Sequence, residues 1–77
     1  MEFDVLKKSI AEVLSVDPDE ITPESTFEGD LGADSLDLYQ ILLDVQDQLE
    51  IEVDAEEATN VKTVKDALDL IQDTVNG

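Results

Sequence analysis

Seventy-seven residues suffice for one small domain, and a chain of that length buries only about 60% of the surface it exposes when unfolded. Its apolar fraction of 42% supports a folded core, yet four basic residues, all lysine, stand against twenty-one acidic ones for a net charge of −17. There is no cysteine and no histidine, which excludes a disulfide framework, a thiolate metal site and the side chain best suited to proton transfer near neutrality.

From Ser9 to Val61 there is no positive charge at all. Such a surface repels nucleic acid and anionic lipid, and it steers basic proteins toward itself over roughly a Debye length, ~8–10 Å. The longest apolar run is far short of the ~20 residues that span a bilayer, and no basic-then-apolar leader opens the chain. The expectation is a cytoplasmic or organelle-matrix monomer with no membrane insertion, no metal and no catalytic activity of its own, formed by a single domain over residues 1–77.

Phe3, Leu6, Ile10, Val13 and Leu14 recur at steps of three and four, which predicts an amphipathic helix over residues 2–15. Val16-Asp17-Pro18-Asp19 stops it, because proline disfavours helical geometry at the residue before it and donates no backbone hydrogen bond. Residues 16–34 read as a long loop punctuated by Pro23 and Gly29, with Ile21, Phe27 and Leu31 pinning it to the core. Asp17, Asp19 and Glu28 occupy calcium-loop positions, but Ile21, Thr22 and Pro23 lack the side-chain oxygen, the glycine and the flexibility that such a loop needs.

A second helix is predicted from Ser35 to Leu49. At 100° per residue, Leu38, Leu42, Val45 and Leu49 share a core-facing side with Ile41 beside them. Leu36 and Leu43 fall almost opposite, on a strip with Gln40 and Asp47 bordered by Asp37 and Asp44: apolar anchors within an acidic landing strip for a partner. A short helical turn is expected at residues 55–60. A last helix over Val64–Val75 should bury Val64, Ala67, Leu68, Ile71 and Val75, with Thr63 as its cap and Asp66 in the capping-box position. Nothing alternates with period two for long. The fold class is therefore all-α, with three main helices, one short helix and a long loop between the first two.

Asp34-Ser35-Leu36-Asp37 carries two readings. As a helix start, Asp34 is a preferred N-cap, and Asp37 at the third helical position suits the dipole. If Asp34 is the cap, however, Ser35 is the first helical residue. Its hydroxyl then projects at the positive end of the helix, where phosphate is favoured. Without histidine it is a poor nucleophile, but it suits modification by another enzyme.

Gly32-Ala33-Asp34-Ser35-Leu36-Asp37, preceded by Asp30-Leu31, resembles the prosthetic-group attachment motif of acyl carrier proteins. The similarity runs along essentially the whole chain, through Val53-Asp54-Ala55-Glu56-Glu57-Ala58 and Thr63-Val64-Lys65-Asp66-Ala67-Leu68. The resemblance implies a small four-helix bundle with 4′-phosphopantetheine on Ser35, flanked by Asp34 and Leu36, and with its thiol carrying acyl groups between enzymes of fatty-acid or polyketide-like synthesis. It implies a phosphopantetheinyl transferase and synthetic enzymes with basic docking patches as partners. Leu36, Asp37, Gln40, Leu43, Asp44 and Asp47 would meet them, and Leu38, Leu42, Val45, Val53, Ala58 and Val61 would line an acyl pocket. The chain departs from the family pattern at Gln40 and Gln46 (usually glutamate), Asp44 (usually small), Asp54 (often proline) and Tyr39 (usually a small aliphatic residue). The acidic residue before the serine is similar to acyl rather than peptidyl carriers. An acidic helical interaction module without a prosthetic group is the alternative.

Overall fold

The computed structural model describes residues 2–76, with the backbone alone at Ala55. Helix α1 spans Glu2–Leu14, a 3₁₀ turn covers Pro18–Glu20, α2 spans Ser35–Leu49, α3 is the single turn Ala55–Ala58, and α4 spans Val64–Asn76. The packing is helix on helix, chiefly α1 on α2, with α4 laid against both α1 and α3.

Each helix sends its apolar stripe to one core. Leu6 and Ile10 of α1 meet Ile41 and Val45 of α2 and Val64, Ala67 and Ile71 of α4, all completely or almost completely buried. Ile41, expected beside the core-facing stripe of α2, is at its centre, whereas Leu38 and Leu49 are only half-buried. Val75 corrects the expectation for α4: the core cluster ends at Ile71, the helix runs one turn past it, and Val75 is 44% exposed.

Local chemistry sets the ends of the helices. Ser15 and Glu50 adopt left-handed backbone (φ 57° and 56°) just beyond α1 and α2. The following amides reach back to the last turn, Val16 N to Ala11 O at 3.2 Å and Ile51 N to Gln46 O at 3.1 Å. The helices thus stop through left-handed C-terminal caps, without glycine, before Pro18 can intervene. At the start of α4, Thr63 Oγ1 accepts from Asp66 N (3.1 Å), and Asp66 Oδ2 accepts from Thr63 N and Lys62 N (both 3.2 Å). This is the capping box expected from the sequence.

Ser9 is fully buried in α1, on its core-facing side. Its hydroxyl donates to Asp44 Oδ2 of α2 at 2.6 Å, and Gln48 Nε2 donates to the same carboxylate at 2.9 Å. Burying a hydroxyl without a partner is costly, so this bond sets which faces of α1 and α2 meet. Among the described residues no helix is long and apolar enough to cross a membrane.

Asp66 is held below the ordinary carboxylate range by the Lys62 N–H first and then the Thr63 N–H, helped by the Thr63 hydroxyl and the charge of Lys65 against a desolvation that opposes them. Its folded-state value is depressed, so the folded chain binds fewer protons there than the unfolded chain. Its contribution is complete above the unfolded aspartate value and disappears as pH falls through the lower folded value. The stability gap between wild type and Asp66→Ala, measured by urea unfolding, is expected to be constant near neutrality and to shrink only in that acidic window.

Candidate functional site

The loop before α2 is fastened from several sides. Ile21 and Phe27 are buried, as expected, and Leu31 is half-buried. Thr26 and Thr63 form an isolated antiparallel bridge that the sequence pattern did not disclose. Phe27 N donates to Lys62 O (3.0 Å), Val64 N to Ser25 O (2.9 Å) and Lys65 N to Pro23 O (2.9 Å), so the loop lies along the segment entering α4. Asp30 then turns the chain: its carboxylate accepts from Thr26 N, and its own N–H donates to Thr26 Oγ1, both at 2.9 Å.

Glycine is favoured twice in this turn. A Cβ on Gly29 would lie 2.7 Å from Thr26 Oγ1, and Gly32 has φ +67°, a left-handed conformation that side chains disfavour. Ala33 N closes onto Phe27 O at 2.6 Å, which delivers the chain to α2.

Asp34 is the N-cap. Its backbone is extended, its Oδ1 accepts from Asp37 N at 2.9 Å, and Asp37 Oδ2 accepts from Asp34 N at 3.4 Å. Both carboxylates are committed to the capping box. Ser35 is thereby the first residue of α2 and is exposed, and its hydroxyl has no hydrogen-bond partner among the described residues. The N–H groups of Ser35 and Leu36 have no acceptor there either, so the positive end of a fifteen-residue helix faces outward beside the hydroxyl.

Ser35 also borders a pocket of about 570 Å³ between the first turn of α2, the 26–29 turn and the exit of α3. Phe27, Ala33, Leu38, Ala58 and Val61 form its apolar wall; Thr26, Glu28, Tyr39, Thr59 and Lys62 supply polar groups. Of the residues expected to line an acyl pocket, Leu38, Ala58 and Val61 line this one. Leu42, Val45 and Val53 are not in the lining: all are buried, and Val45 belongs to the central core. Phe27, Ala33 and Tyr39 were missed as lining. Helical periodicity says which side of α2 is apolar but not how far a loop covers it.

On the outer side of α2, Leu36 is 77% and Leu43 40% exposed, with Gln40 and Asp47 exposed in the same strip. Asp37 and Asp44 are half-buried at its borders. Asp44 is turned to Ser9 of α1, and Asp37 to the cap of its own helix. Gln46 ties down the chain after α2, its Oε1 accepting from Val53 N at 3.0 Å. Asp17 accepts from Asp19 N at 2.9 Å as cap of the 3₁₀ turn, and among the described residues no group of three or more acidic side chains is placed to hold a metal ion.

Residues 4–71 match the phosphopantetheine attachment site family. The chain belongs to the acyl carrier protein family. It is 51% identical over 69 residues to an acyl carrier protein of Clostridium perfringens, covering 90% of this chain and 91% of the relative. To an acyl carrier protein of Thermosynechococcus vestitus it is 41% identical over 70 residues, 91% and 86% of the two chains. Among solved structures it is similar to a putative acyl carrier protein from Mycobacterium tuberculosis, with a TM-score of 0.86, 29% identity, and 94% and 96% of the chains covered. A second is an acyl carrier protein from Enterococcus faecalis, with a TM-score of 0.69, 28% identity, and 96% and 98% coverage. The four-helix fold is that of these neighbours. Members of the family are carriers, not catalysts. They hold 4′-phosphopantetheine covalently and work with a phosphopantetheinyl transferase and with biosynthetic enzymes, usually those of fatty-acid synthesis. A module without a prosthetic group is accordingly disfavoured.

The division of labour between neighbouring residues is measurable. Asp34→Ala should cost about 1 kcal/mol of unfolding free energy through the lost cap. Ser35→Ala should leave stability and helical circular dichroism nearly unchanged, since the serine hydroxyl holds nothing in place. Equal destabilisation by both changes would contradict this assignment of the cap.

Proposed function

We propose that Ser35 is the attachment point of 4′-phosphopantetheine and that residues 1–77 act as one carrier domain, a cytoplasmic monomer. The observation that carries the reading is the free, exposed hydroxyl at the first position of α2, beside the pocket. The chain's own residues fit the group. The Ser35 and Leu36 amides and the helix dipole favour a phosphate there, and Asp34, occupied by the cap, keeps the serine free. When attached, the group supplies a terminal thiol that carries acyl chains as thioesters.

Attachment requires Ser35 Oγ to form a bond to the phosphorus of coenzyme A that bears the pantetheine, as the pyrophosphate bond breaks and adenosine 3′,5′-bisphosphate departs. The hydroxyl proton must go to a base. The chain has no histidine, and we assign that base to the transferase. With coenzyme A and a phosphopantetheinyl transferase, intact-mass analysis should show a single adduct, mapped to Ser35. Loading that persists in Ser35→Ala would refute the site.

The exposed strip of α2 is the docking face in this reading. Leu36 and Leu43 act as apolar anchors, with Asp34 and Leu36 nearest the attachment point and Asp37, Gln40, Asp44 and Asp47 forming the polar surround. A net charge of −17 steers basic enzyme surfaces toward this strip and opposes self-association. Acyl chains shelter in the pocket against Leu38, Ala58 and Val61; Leu42, Val45 and Val53 back that wall from within the fold.

Asp47 tests the electrostatic part cleanly, because Asp37 also holds the capping box and Asp44 also holds Ser9. Asp47→Lys should slow association with basic partner enzymes at low salt, with the difference fading as salt rises. Leu43→Ala should mainly speed dissociation. Stopped-flow association rates that ignore both charge reversal and salt would remove α2 from the docking role.

A further inference from the structure

We propose that this carrier prefers acyl chains bearing neutral oxygen functions, β-keto or β-hydroxy groups, over saturated chains, and that Tyr39 and Lys62 read those oxygens. The proposal rests on the pocket beside Ser35 being the one that receives the cargo. Tyr39 comes from α2, one turn beyond Ser35, and Lys62 from the segment between α3 and α4, and both line the pocket. Neither the Tyr39 hydroxyl nor the Lys62 ammonium has a hydrogen-bond or ion-pair partner among the described residues, and both residues are exposed.

The rest of the lining makes the selection. Leu42 and Val45 are packed behind the wall and are not among the lining residues, so the lining beside Ser35 is mixed rather than all-apolar. An occupant would meet the apolar wall of Phe27, Leu38 and Val61 and, beside it, Tyr39 and Lys62. A saturated chain there strips water from the phenol and the ammonium and offers no acceptor in exchange. A keto or hydroxyl oxygen takes the place of that water. Glu28 and Asp34 line the same pocket, and their charges oppose a carboxylate cargo, which restricts the preferred oxygens to uncharged ones.

The test is to load octanoyl, β-ketooctanoyl and β-hydroxyoctanoyl pantetheine onto the protein with a transferase and verify each adduct by mass. Thioester cleavage by hydroxylamine is then timed relative to the same acyl-coenzyme A free in solution. The oxygenated chains are expected to be protected about two- to tenfold more than octanoyl, the range of one net hydrogen bond. They should also give the higher melting temperatures. Tyr39→Phe and Lys62→Met, both at exposed positions, should each narrow the gap. Octanoyl protected as well as the oxygenated chains, or a preference untouched by both variants, would overturn the proposal. Failure of the transferase to load the chain would count against the attachment site alone. The preference is then read from melting temperatures of Ser35→Cys alkylated with chloroacetamides bearing the same three chains, the chain having no other cysteine to react.

Discussion

The backbone ladder that ties residues 23–27 to residues 62–65 is the constraint on which the site depends. Phe27 N to Lys62 O, Val64 N to Ser25 O and Lys65 N to Pro23 O hold a loop that has no long helix or strand of its own. The ladder drops Phe27 into the core, and Phe27 O in turn receives Ala33 N, which fixes where α2 begins. The same contacts build one side of the pocket, because Thr26, Phe27 and Lys62 line it. The position of Ser35 is thus inherited from the entrance to α4, at the other end of the sequence. Loops of this length stay ordered only when their backbone groups find such partners.

A chain with −17 net charge and four lysines cannot neutralise its carboxylates with cations. Many of its aspartates accept backbone N–H groups at turns and helix starts instead: Asp17, Asp30, Asp34, Asp37, Asp54 and Asp66. The short side chain of aspartate reaches its own backbone within a few residues, which glutamate does less well, and the N-termini of helices welcome negative charge. Acidity that would otherwise only repel itself thereby specifies where elements begin. The outer strip of α2 carries one unengaged acid, Asp47, beside the exposed Gln40, Leu36 and Leu43.

Adjacent residues in Asp34-Ser35 differ in what they do for the fold. The aspartate satisfies the helix and the serine satisfies nothing in the fold, so its hydroxyl is available to another enzyme. The pocket beside the serine has a mixed lining, which distinguishes it from a purely apolar cavity.

Much of this was legible in the sequence because it is local. The bounds of α2 at Ser35 and Leu49, the Thr63–Asp66 capping box and the exposure of Leu36 and Leu43 follow from periodicity and from side chains that cap their own helix within three residues. The family motif around Ser35 was equally readable, since it is contiguous. Only the tertiary structure decided the rest. Asp44 reads as a surface acid until Ser9, thirty-five residues earlier, is found donating to it. Val75 fits the apolar stripe of α4, but the core ends at Ile71 before the helix does. Leu42, Val45 and Val53 share the apolar pattern of the pocket lining but are not part of it: the loop before α2 brings Phe27 and Ala33 to the space, and the segment between α3 and α4 brings Lys62. Periodicity assigns a residue to a face of its own helix; what covers that face is set by segments far away in the chain, through contacts that no local pattern encodes.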